Sequence, residues 1–114
     1  MEYLLLIYEN EKRFAGQSEA DFGAEMTEYT DFGKNHAGII KGGNALQPTT
    51  TAKSIRVRDG KTTTTDGPFA ETKEQLGGYY LVEASSVDEA LKAAAKIPGA
   101  RYGCVEVRPI MTFS

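Results

Sequence analysis

The sequence predicts a single α+β domain over residues 1–114, with the β-α-β-β-α-β order of the ferredoxin-like split arrangement and an inserted β-hairpin. Three observations predict it. Tyr3–Tyr8, "YLLLIY", is apolar at every position, the pattern of a strand covered on both faces. Two helical segments opened by serine caps each follow a strand. Asp59-Gly60, flanked by β-branched alternation in "SIRVRDGKTTTT", marks a tight hairpin.

The elements follow in order. After the first strand, the polar connection "ENEKRFAGQ" leads to Ser18, whose hydroxyl caps a helix with Asp21 three residues on and Glu19 near the positive end of the dipole. That helix is expected to run to about Ala37, to turn Phe22, Met26, Tyr29, Phe32 and His36 inward, and to end on a left-handed Gly38. "GIIKGGNAL" reads as a strand with a bulge or a close backbone approach at Gly42-Gly43. The hairpin comes next, its four threonines favouring a strand, and then the strand "GGYYLVEA". Ser85 or Ser86 caps a second helix over Val87–Lys96, with Ala90, Leu91, Ala94 and Ala95 inward and Pro98-Gly99 ending it; "GCVEVRPIM" closes the sheet.

Helices cover one sheet face only, yet the first strand is apolar on both, and Tyr79 and Tyr80 point opposite ways. A second subunit laid sheet against sheet covers the open side, so the expected assembly is a homodimeric α/β barrel with a space between the sheets. At 114 residues the chain is small enough to leave apolar surface to such a partner.

A net charge of −3 without a Lys/Arg cluster argues against nucleic acid as a ligand. The six-residue apolar run at the start is too short for a signal peptide or a membrane span, which sets the expectation of a cytoplasmic protein with no membrane partner. One histidine and one cysteine call for no metal and no cofactor.

The stretch "RVRDGKTTTTDGPFAETKEQLGGYYLVEA" resembles the signature of the YCII-related family in its DGPF-domain branch, and "YLLLIY", "GGNALQP" and "VEVRPI" extend the resemblance over almost the whole chain. The resemblance implies a dimeric barrel of ferredoxin-like subunits with a largely unassigned molecular function. It also implies a frequent gene neighbourhood with extracytoplasmic-function sigma factors. Some relatives in the wider superfamily resemble cofactor-free lyases, a dehydrochlorinase among them, with a histidine near the start of the first helix and an aspartate just before a proline after the second. Here the first turn, "SEADF", has no histidine and Ile97 precedes Pro98, so that dyad is not carried over.

Asp66-Gly67-Pro68-Phe69 is either a plain turn or the frame of a ligand site, with Phe69 buried and Asp66 accepting backbone hydrogen bonds. His36, in the last turn of its helix, suits the carbonyl end of the dipole, and Cys104 suits a small buried apolar position. Asp66, Glu71 and His36 are the acid-base candidates for a lyase or isomerase reading. Tyr8, Asp66, Lys73, Tyr79, Glu106 and Arg108 are the candidate contacts of a small polar ligand. Alternation turns Val105 and Val107 one way and Glu106 and Arg108 the other, into the inter-subunit space, where a hydroxyl from Tyr79 or Tyr80 is expected to meet them. The leading expectation is a small-molecule-binding dimer; the alternatives are a cofactor-free lyase or isomerase in the same cleft and an interaction partner of a sigma factor.

Overall fold

The computed structural model describes residues 1–113. The main sheet is antiparallel with strand order β2-β5-β1-β6, built from β1 (Glu2–Glu9), β2 (Ile40–Ala45), β5 (Gln75–Glu83) and β6 (Cys104–Pro109). With the hairpin β3 (Lys53–Arg58) and β4 (Lys61–Asp66) left aside as a separate two-stranded sheet, this is the ferredoxin-like topology. Among the described residues no helix is long and apolar enough to cross a membrane.

The pleat of β1 sorts its side chains. Tyr3, Leu5, Ile7 and Glu9 are buried beneath the helices, while Leu4, Leu6 and Tyr8 are half-buried on the open face. Registers carry the division across the sheet: Leu5 lies between Tyr80 and Val107, and Leu6 between Tyr79 and Glu106. The core joins Tyr3, Leu5, Ile7, Phe32, Val82, Ala84, Ala90, Ala94 and Ile97, with Val105 and Val107 packed against it. Leu5, Val82 and Ile97 are fully buried and contribute about 1.5–3 kcal/mol each.

The connection after β1 contains a four-residue helix, α1 (Lys12–Ala15), where the sequence predicts only a loop. In α2 (Glu19–Asn35), Ser18 Oγ accepts from the Asp21 N–H at 3.1 Å as expected. Its buried residues are Glu25 and Phe32, whereas Phe22 and Met26 are exposed, contrary to the predicted stripe. The line of contact is rotated because Arg13 neutralises Glu25 and lets that carboxylate occupy an inward position. Gly38 does not adopt a left-handed conformation: α2 caps at His36, whose carbonyl accepts from Ile39 and Ile40 N–H.

In α3 (Val87–Ala94), Ser86 is the cap, and the buried residues are Ala90, Ala93 and Ala94. Leu91 and Ala95 are exposed, against expectation, because the face of smallest side chains turns to the sheet and Ile97 fills the space beyond the helix. The bulge in "GIIKGGNAL" falls between Ile40 and Gly42, and the close approach is at Gly43, against Tyr79 and Tyr80. Asp59 and Gly60 take φ of 52° and 75° and close the hairpin as predicted.

Candidate functional site

The open sheet face carries three rows of side chains across the strands. Asn44, Tyr79, Leu6 and Glu106 form one; Leu81, Leu4 and Arg108 form the next; Leu76, Tyr8 and Cys104 form the third. The centre is therefore apolar, with Leu4, Leu6 and Leu81, and the polar groups stand to either side. On the β6 side Arg108 donates to Glu106 Oε2 from Nη2 at 2.6 Å and from Nε at 3.2 Å, and Tyr8 Oη donates to Glu106 Oε1 at 3.5 Å. On the β2 side Asn44 Nδ2 donates to Tyr79 Oη at 2.8 Å.

Tyr8, Glu106 and Arg108 thus come together, and Tyr79 shares their face. Tyr79 does not meet Glu106, because β1 lies between their strands and interposes Leu6. Tyr80 faces the helices, its ring 5.0 Å from that of Phe32 and its hydroxyl pKa raised by burial. The Arg108–Glu106 pair is exposed and screened by solvent, so its guanidinium is readily exchanged onto a ligand carboxylate. Asn44 escaped the sequence reading; only the pairing register brings it to Tyr79.

The other predicted residues lie elsewhere. His36 is on the helix side, its ring stacked on Phe32 with centroids 4.4 Å apart and Nδ1 3.0 Å from the Phe32 carbonyl oxygen. It borders two shallow grooves of about 430 and 360 Å³, both also lined by Asn35 and Lys96. Glu71 and Lys73 are exposed in the connection between β4 and β5.

Asp66 accepts from Lys53 Nζ at the hairpin root and not from backbone N–H groups. The turn is held instead by Gly67, at φ 95°, whose N–H donates to the Ala52 carbonyl at 2.7 Å and whose carbonyl accepts from Ser54 Oγ at 2.8 Å. Those ties bind residues 66–68 to the hairpin and away from the core. Phe69 is accordingly 81% exposed rather than buried. Cys104, on an edge strand of the open face, is exposed rather than buried. Among the described residues no group of three or more His, Cys, Asp or Glu side chains is placed to hold a metal ion.

A second polar cluster lies under the helices, and sequence patterning missed it because Glu9 and Arg13 read as part of a polar connection while they end β1 and lie in α1, and Glu25 sits on a polar helix. Glu9 and Glu25 are 7% and 6% exposed, and Arg13 Nη2 reaches Glu9 Oε2 at 3.0 Å and Glu25 Oε1 at 3.0 Å. The one legible signal is the i, i+4 spacing of Glu9 and Arg13. A Cβ at Gly99 would stand 2.7 Å from Glu9 Oε1 and 3.0 Å from the Tyr29 hydroxyl, so the turn over Pro98–Arg101 closes on the cluster only through glycine. Burial, and next the charge of Glu9, push the Tyr29 hydroxyl up to about 12 and keep it neutral.

Burial raises the Glu9 carboxyl above its ordinary value of 4.5, more than Arg13 lowers it. The fold therefore favours neutral Glu9, and this contribution, present below the unfolded-state pKa, is lost as pH rises through the higher folded-state value. Glu9→Gln is expected to gain stability relative to wild type as pH rises from below the unfolded-state value of about 4 through the raised folded-state value. Urea unfolding at several pH values measures it; a difference that stays constant across that range contradicts the assignment.

A four-stranded antiparallel sheet with helices on one face and a half-apolar, polar-edged opposite face defines a ferredoxin-like α+β protein with one uncovered sheet surface. The YCII-related domain model matches residues 1–114. The chain is also 38% identical over 122 residues to an uncharacterized protein of Rhizobium meliloti (strain 1021), over 99% of this chain and 94% of that protein. The chain belongs to the YCII-related family.

Proposed function

We propose that this chain is a cytoplasmic, homodimeric small-molecule-binding protein of the DGPF-domain branch, in which two open sheet faces meet as a dimeric α/β barrel and enclose a polar cleft. The observation that carries the reading is surface. The chain exposes 8138 Å². A compact monomer of its 12.4 kDa exposes about 6,100 Å², which leaves an excess of roughly 2,000 Å² per chain, the scale of an obligate dimer interface. Leu4, Leu6 and Leu81 supply an apolar centre for that contact, and Tyr8, Tyr79, Glu106 and Arg108 supply the polar groups that a ligand would meet.

Arg108 is the anchor that the geometry favours for a carboxylate. A panel of small mono- and dicarboxylic acids, read by thermal shift, tests the reading. A ligand present at a hundred times its Kd should stabilise wild type by about 2.7 kcal/mol. Arg108→Ala should keep the unliganded melting temperature and the dimer but weaken that ligand about tenfold or more. A variant that binds the ligand as tightly as wild type would show that Arg108 is not its anchor.

A further inference from the structure

We infer that the β3–β4 hairpin is an arm that each subunit lays against a second copy of this chain. The inference rests on the dimer reading above and adds to it a second contact, outside the sheet faces. Alternation along β3 is the pattern of a strand with one buried face: Ile55 and Val57 point one way with Thr62 and Thr64 across from them, and Arg56 and Arg58 point the other. No part of the described chain covers the apolar face, and Ile55 and Val57 are 67% and 58% exposed. A two-stranded hairpin standing alone is marginally stable in water, so this one needs a surface to lie on.

The root of the arm is fixed. The Glu11 carboxylate accepts from the Thr49 N–H at 2.7 Å and from Thr49 Oγ1 at 2.8 Å, just before β3, and the Gly67–Ala52 and Gly67–Ser54 hydrogen bonds close the other end. The arm also extends the molecule. The radius of gyration is 16.2 Å, against about 13 Å for a compact chain of this length, and the extents of 47 × 47 × 19 Å show a flat shape.

Charge favours a second copy as the occupant. Lys53, Arg56, Arg58 and Lys61 outweigh Asp59 and Asp66, so the hairpin carries +2 and the other residues carry −5 of the chain's net −3. Arg56 and Arg58 face away from the apolar contact, so this charge acts at long range, steering the arm of one subunit toward the body of another, and a contact exchanged in this way is isologous, made twice in the dimer.

The test compares Ile55→Asp/Val57→Asp with wild type by sedimentation over a concentration series. Both side chains are exposed and remote from the core, and an unchanged far-UV spectrum and melting profile of the helix-covered sheet check that the variant folds. Loss of two apolar anchors per arm should raise the dimer Kd roughly 100-fold or more. A variant Kd within about threefold of wild type overturns the arm contact and leaves the sheet-face dimer standing. A wild-type chain that is monomeric at tens of micromolar overturns both. Hydrogen exchange gives an independent readout: amides over residues 53–66 should exchange about tenfold faster in the sheet-face variant Leu6→Asp, and equal exchange in the two proteins contradicts the arm contact.

Discussion

Leu6→Asp is expected to turn the protein into a folded monomer. Leu6 occupies the middle of β1, which is an inner strand of the sheet, and its side chain is on the open face between Tyr79 and Glu106. In the single chain it is only half-buried, so an aspartate there loses little core packing. Its cost to the monomer is chiefly like-charge repulsion from Glu106 directly opposite, about 0.2–1 kcal/mol. In a dimer made through this face the same carboxylate is buried at the apolar centre, in a row with Asn44, Tyr79 and Glu106 that holds no cation. The penalty for an unpaired buried charge is several kcal/mol, and a two-fold interface incurs it twice. The dimer Kd should therefore rise roughly a thousandfold or more. Sedimentation equilibrium on wild type and variant decides the matter, and a variant that dimerises with wild-type affinity would place the interface on another surface.

The same face shows what the sequence discloses and what it hides. β1 is legible because six consecutive apolar residues leave no polar face, and the hairpin because Asp59-Gly60 is one of the few pairs that close a two-residue turn. Glu106 and Arg108 are legible as a polar face because alternation is a local property of one strand. Which tyrosine meets them is not local. It depends on strand order, which places β1 and Leu6 between Tyr79 and Glu106 and gives the contact to Tyr8. The helix faces mislead for a different reason. Phe22, Met26 and Leu91 read as core by hydrophobicity alone, while Glu25 is buried because Arg13, twelve residues earlier, neutralises it.

That neutralisation is large enough to test. Arg13→Met is expected to destabilise the fold by about 3–5 kcal/mol near pH 7.5, because removing the cation leaves two buried carboxylates facing each other. Arg13 Nη2 is within hydrogen-bond distance of Glu9 Oε2 and of Glu25, and Glu9 Oε1 has no hydrogen-bond partner among the described residues. The guanidinium also lies over the rings of Tyr102 and Phe14, at 4.0 and 4.6 Å from their centroids, and these contacts are lost with it. Methionine retains the apolar stem, which confines the loss to the guanidinium's charge, hydrogen bonds and ring contacts. The pH dependence separates this cause from a packing defect. Without Arg13 the Glu9 carboxyl titrates further above its unfolded value than in wild type, so the folded variant binds a proton that the unfolded chain does not. Stability of the variant should then recover as pH falls toward about 5, and the gap to wild type should narrow there. Urea unfolding of both proteins at about pH 5 and about pH 7.5 measures the gap. A loss below about 1 kcal/mol at both values would mean that the two glutamates are solvated well enough to need no cation. A large loss that does not change with pH would assign the effect to the rings over Arg13 and not to the charges beneath it.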